Sequence, residues 1–145
     1  MSLLIDISDA VVSEINNAPG GTFSEAVTAR RSVLPKSDLA ELTELKVTVV
    51  PKRVDITRAS RLARQVDVTI DIGIQQKVGT DLEADVVRLM ELVEQLADFL
   101  DGRPLADAGQ AVYVQLRNEP AYSPELLNEQ RVFTSVLTIM YRTLR

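Results

Sequence analysis

The residues best spaced to act together are Asp67 and Asp71, which alternate with β-branched residues in Val66-Asp67-Val68-Thr69-Ile70-Asp71-Ile72-Gly73-Ile74-Gln75. Paired carboxylates serve as acid and base in glycoside hydrolysis, or share a divalent cation. On a strand this spacing puts both on one face, about 13 Å apart at the usual rise per residue. That exceeds the separation of a retaining pair and the usual range of an inverting one. Two lone carboxylates also give a divalent cation too few ligands unless others are supplied from elsewhere. The simpler reading is that Asp67, Thr69 and Asp71 keep the outer face of a sheet wet, or turn it toward a partner. The chain has no histidine and no cysteine, so serine–histidine, cysteine–histidine and cysteine-ligated zinc chemistries are excluded. Carboxylate, lysine or tyrosine chemistry is what remains. Gly20-Gly21 invites a phosphate-loop reading, but no glycine-lysine-serine/threonine pattern follows; the cluster from Asn16 to Gly21 reads as a turn. No catalytic residue, cofactor or metal is expected.

Charge is distributed unevenly. Between Lys46 and Arg64 six basic residues (Lys46, Lys52, Arg53, Arg58, Arg61, Arg64) face a single acid, Asp55. Between Asp81 and Asp101 seven acids, among them Glu91, Glu94 and Asp98, face only Arg88. Two solvated faces of one domain would look like this. So would complementary surfaces on neighbouring copies, with Arg53, Arg58, Arg61 and Arg64 of one approaching Glu91, Glu94 and Asp98 of the next. Contact of the basic segment with nucleic acid is a third option, which the net charge of −5 and the scarcity of aromatic residues disfavour.

The elements that must position these residues follow from periodicity. Residues 7–17 read as a helix capped by Asp6 or Ser8, with Ile7, Val11 and Ile15 on one face. Residues 23–34 alternate weakly as a strand ended by Pro35, and residues 36–42 suit a short helix. Residues 45–50 form a better strand, closed by Pro51. An arginine-bearing connection over residues 52–62 then leads into the clearest strand, residues 66–75, as a long basic hairpin. Every second residue there is valine or isoleucine, so one face is buried and the other meets water or a partner. An edge left open by such a hairpin is a means of joining neighbouring subunits.

Thr80 and Glu83 match a capping box. Behind it Leu82, Val86, Leu89, Val93, Leu96 and Leu100 form one apolar stripe, stopped by Gly102 and Pro104. The stripe suits the valine–isoleucine face of the sheet. Val112, Val114 and Leu116 alternate with Tyr113, Gln115 and Arg117 in another strand. Ser123 and Pro124 open a short helix. Over residues 131–142, Phe133, Ser135, Leu137, Ile139 and Tyr141 share one strand face. Apolar residues also occupy the other, as expected of a central strand or one covered by another subunit.

At 145 residues the chain fits one α+β domain spanning residues 1–145, with a mainly antiparallel sheet, helices on one face and a hairpin extending from the core. The start, Met1-Ser2-Leu3-Leu4-Ile5-Asp6, lacks the pattern of a signal peptide, and no apolar run is long enough to span a membrane. The expected setting is the cytoplasm of the producing cell, with protein partners.

The order of these segments carries a resemblance. The proline-ended strand leads through Arg58 and Arg61 into the alternating strand ending Ile74-Gln75-Gln76-Lys77. The acid-rich helix ends Ala97-Asp98-Phe99-Leu100-Asp101-Gly102. Asn118-Glu119-Pro120-Ala121-Tyr122-Ser123-Pro124-Glu125-Leu126 precedes Val132-Phe133-Thr134-Ser135-Val136-Leu137-Thr138 and Tyr141-Arg142. From about Leu45 onward this resembles the tail terminator, or tail completion, proteins of long-tailed bacteriophages. The resemblance implies a subunit of a six-membered ring, found in the virion tail or neck and, during assembly, in the host cytoplasm. Such a ring caps the head-proximal end of the tail tube, ends its growth and offers a docking surface to the head connector. The implied partners are further copies, the tail tube protein and the connector. DNA would pass through an acidic or neutral lumen without specific binding, a lining that Asp67, Thr69 and Asp71 would suit. The family has no shared catalytic motif, so no active-site residue carries over. A head–tail connector or neck protein, and a non-viral adaptor module, are the alternative readings.

Overall fold

The computed structural model describes residues 2–33 and 42–145. The first helix, α1 (Leu3–Asn16), starts earlier than its apolar spacing suggests, because Ser2 caps it by accepting the Ile5 N–H at 3.3 Å. Ser8 is no cap; it is buried, and its hydroxyl donates to the Leu4 carbonyl at 2.7 Å. Ile7, Val11 and Ile15 lie on the buried face as their spacing requires, joined by Ala10.

The expected strand over residues 23–34 shrinks to β1 (Ala29–Arg31), and its last residue lies outside the described residues. Two contacts explain the loss. Gln95 takes the Ser24 N–H at 2.7 Å, and Phe23 packs edge-on against Phe99, so the chain before β1 lies along a helix rather than a sheet. Asn16 then pairs with Ala29 as a peptide would, donating to its carbonyl at 3.0 Å and accepting its N–H at 2.7 Å. The short helix expected over residues 36–42 falls almost wholly outside the described residues.

The next strand, β2 (Lys46–Arg58), runs straight through Pro51 instead of ending there. Beyond Arg31 no described strand flanks it on the β1 side, so the donor that proline lacks is not missed by a ladder. A bulge between Pro51 and Arg53 shifts the register by one residue. β2 pairs antiparallel with β3 (Arg64–Lys77), from Lys46↔Gln75 to Arg58↔Arg64. The connection is therefore five residues, 59–63, rather than the eleven expected from the charged stretch.

After β3 comes α2 (Leu82–Leu100), capped by Asp81, which accepts the Ala84 N–H at 3.1 Å. The cap is thus one residue beyond Thr80, and Glu83 does not complete a box with it. Gly102, at φ +69°, turns the chain away from the helix end in the left-handed conformation that glycine adopts freely. A 3₁₀ turn at Ala106–Ala108 leads to β4 (Val112–Asn118). Its alternation breaks at a bulge between Tyr113 and Gln115, so Tyr113 and Leu116 pack on the core while Val112 is left exposed. Ser123 caps α3 (Pro124–Gln130), with Pro124 in its first turn, and β5 (Val132–Leu144) closes the fold.

The protein is α+β: the sheet order is β1-β2-β3-β5-β4, antiparallel except for β1 beside β2. β5 is an interior strand, in register with β3 from Gln65↔Leu144 to Lys77↔Val132. It accompanies the hairpin along its whole length, so only residues 59–63 pass beyond the sheet, while residues 52–58 of β2 extend past the covered core and are exposed on both faces. One sheet face carries the core: Val66, Val68, Ile70, Ile72 and Ile74 of β3 with Phe133, Leu137, Ile139 and Tyr141 of β5. Leu89, Leu92, Val93, Leu96 and Leu100 of α2 and the apolar face of α1 cover it. No described helix covers the other face.

Candidate self-association surface

The hairpin turn is built to hold one shape. The amides of Ala59 and Ser60 both donate to the Ala63 carbonyl, at 3.0 Å each. The Ser60 hydroxyl accepts the amides of Leu62 and Ala63 at 3.3 and 3.1 Å. Arg58 reaches over the turn to the Arg61 carbonyl at 3.0 Å. Arg64 and Arg145 exchange backbone hydrogen bonds of 2.6 and 2.9 Å, which pins the base of the turn to the end of β5. Arg58 thus shapes the turn, while the guanidinium groups of Arg61 and Arg64 form no ion pair with any described residue. Arg53 lies lower on β2, paired with Asp55 at 2.9 Å.

The acidic segment divides into two groups. Asp81 caps α2, and Asp85 accepts the Gly79 N–H at 2.6 Å while lying 3.7 Å from Arg88. Arg88 also pairs with Glu25. These charges are spent inside the domain. Glu83, Glu91, Glu94 and Asp98 instead form one exposed stripe along α2, with Val87 in its midst. The expected interface residues Glu91, Glu94 and Asp98 therefore share a surface, as Arg58, Arg61 and Arg64 do at the turn.

The first part of the acidic stripe lies far from the turn, whereas α2 then runs back along the sheet, so that Arg103, just past its end, meets Tyr141 opposite Val68. The turn joins the start of β3, whereas the Glu83–Glu91 part of α2 follows its end. β3 has 14 residues, spanning about 43 Å at the usual rise.

The uncovered sheet face differs from the free acidic strip that its sequence suggests. Arg142 grips Asp67 with two hydrogen bonds of 2.8 and 3.1 Å. These bonds hold the Asp67 carboxyl below its ordinary pKa, against a smaller opposing effect of burial. Asp71 accepts from the Thr138 hydroxyl at 2.7 Å and lies 3.5 Å from the Lys52 ammonium. Thr69, between them, is only 3% exposed, and its hydroxyl has no hydrogen-bond partner among the described residues. A groove of about 410 Å³ runs beside it, walled by Lys52 and Arg53 on one side and Gln115 and Arg117 on the other.

Burial, aided by the Asp101 carboxylate, pushes the Tyr113 phenol up to about 12, and burial pushes Tyr141 higher still. Neither phenol is poised to act as a base near neutral pH. Among the described residues no group of three or more acidic side chains converges as a metal site, and no helix is long and apolar enough to cross a membrane.

Two further surface residues escape a reading by charge alone. Leu62, at the tip of the turn, is 96% exposed, and Val87 is 56% exposed. The available signal was misfit: Val87 falls outside the apolar stripe of its helix, and Leu62 stands among arginines. Comparison with protein families and with curated proteins gives no match to this chain.

Proposed function

We propose that this chain is a structural subunit that assembles head to tail into a closed ring, in the role of a phage tail terminator. The observation that carries the reading is the placement of the basic turn at the start of β3 and of Glu83 and Val87, the first part of the acidic stripe of α2, near its other end. Complementary surfaces so separated cannot meet within one molecule, and they link copies by a repeated heterologous contact that closes into a ring when the rotation permits. The six-fold number and the position at the head-proximal end of the tail tube rest on the sequence resemblance. The uncovered sheet face fits a lumen through which DNA passes, because Asp67 and Asp71 are matched by Arg142 and Lys52. Such a lining is close to neutral and offers duplex DNA no continuous basic track.

The test is particle mass over a wide concentration range, with negative-stain images of the same samples. A discrete ring of six with a central hole is expected. Added to growing tail tubes, the protein should arrest them at one end; rings that leave tube growth unaffected would favour the neck-protein reading. A strict monomer at every concentration would remove the self-association argument and leave an adaptor as the better account.

A further inference from the structure

The charge pattern alone gives a contact that salt would weaken and that many registers could satisfy. The structure adds an apolar centre to each surface. Leu62 stands 96% exposed at the tip of a turn whose backbone is tied by Ser60, Ala63 and Arg58, so presenting it to a partner costs little further ordering. Val87 is 56% exposed and lies one helical turn from Glu83 on one side and from Glu91 on the other. Leu62 is therefore framed by arginines and Val87 by glutamates, while Arg88, which lines the same hollow as Val87, is paired with Glu25 and Asp85.

We propose that Leu62 of one copy seats on Val87 of the next, with Arg61 and Arg64 reaching the glutamates that flank it. The proposal rests on the head-to-tail reading above and names its occupant as a second copy of this chain. Charge complementarity selects that occupant, and the distance along β3 excludes the chain's own turn. An apolar centre inside a charged rim is the usual anatomy of a specific protein interface. The apolar contact resists salt and sets the register, while the charges steer encounter. A single leucine–valine contact is small, so its strength in the assembly comes from repetition around the ring.

Because the chain contains no cysteine, the contact can be trapped without removing any native thiol. Leu62→Cys and Val87→Cys are made singly and together, each checked for unchanged thermal unfolding, and oxidised mildly. A disulfide requires Cα atoms within about 7 Å, so only a close contact reports. An equal mixture of the two single variants should give covalent dimers, whereas each alone should give few. The double variant should give a ladder on a non-reducing gel that ends at the size of the closed particle. Leu62→Ala should weaken self-association about tenfold, the loss expected on removing most of a buried leucine side chain.

Particles that assemble but yield no mixed dimer would overturn the Leu62–Val87 contact and leave the ring reading standing. Cross-linking of Leu62→Cys to itself would overturn it in favour of a symmetric contact between turns. Molecules that stay monomeric and uncross-linked up to about millimolar concentration would overturn both the contact and the head-to-tail reading.

Discussion

Replacing Thr69 with valine should make the domain more stable, although it swaps a polar residue for an apolar one on the uncovered sheet face. Thr69 is 3% exposed, opposite Arg53 on β2 and Met140 on β5, and its hydroxyl is buried without a partner among the described residues. Leaving such a group unsatisfied costs about 1–3 kcal/mol. Valine keeps the branched shape and the strand preference while removing the hydroxyl. The lower end of the range applies, because the neighbouring groove lets small movements admit water. A gain of about 1 kcal/mol corresponds to a rise of roughly 2–4 °C in Tm for a domain of this size. In urea, with a slope of about 2 kcal/mol/M, the midpoint should rise by roughly 0.5 M with the slope unchanged. Thr69→Ala should be less stable than Thr69→Val, since it also removes a buried methyl group. A midpoint that falls in Thr69→Val would refute the reasoning, because it would mean the hydroxyl has a partner worth keeping. Ser135→Ala is the contrasting control: that hydroxyl accepts from Asn118 at 2.9 Å, so its removal should lower stability.

Three other outcomes test the arrangement. Val68→Asp with Ile70→Asp should abolish folding, because both side chains are fully buried beneath the helices; a soluble double variant with a normal melt would place the wrong face inside. Asp67→Asn should be less stable than the parent near pH 6, with the difference shrinking as pH falls below about 4. The folded-state pKa of Asp67 lies below its ordinary value, so its stabilising effect is complete above that value and is lost as pH falls through the lower one; parallel pH–stability curves in urea titrations would argue against the Arg142 pairing. Reversing Arg58, Arg61 and Arg64 to glutamate should weaken assembly and leave the monomer folded, and light scattering that detects rings of unchanged stability would eliminate the basic turn as an interface.

Short-range regularity made β3 and α2 legible from the amino-acid order. Valine and isoleucine at every second position of β3 can only lie on one face, and the leucines of α2 at spacings of three and four form one stripe. The α+β class and the single covered sheet face follow from those two patterns. The clustering of arginines near the turn and of acids on α2 was equally plain, since both clusters are local in sequence.

Whatever depended on distant partners was decided only by the tertiary structure. Asn16 and Gln95 settle how much of residues 23–34 becomes strand, and β2 passes through Pro51 along an edge that no described strand pairs. Arg142, lying 75 residues from Asp67, determines that the best-spaced carboxylates are an ion pair and a hydrogen-bond acceptor rather than free charges. No local pattern encodes these pairings, because each needs side chains brought together by strand order. The distance of the turn from Glu83 and Val87 has the same origin: β3 fixes it, while the sequence records only that both regions are charged.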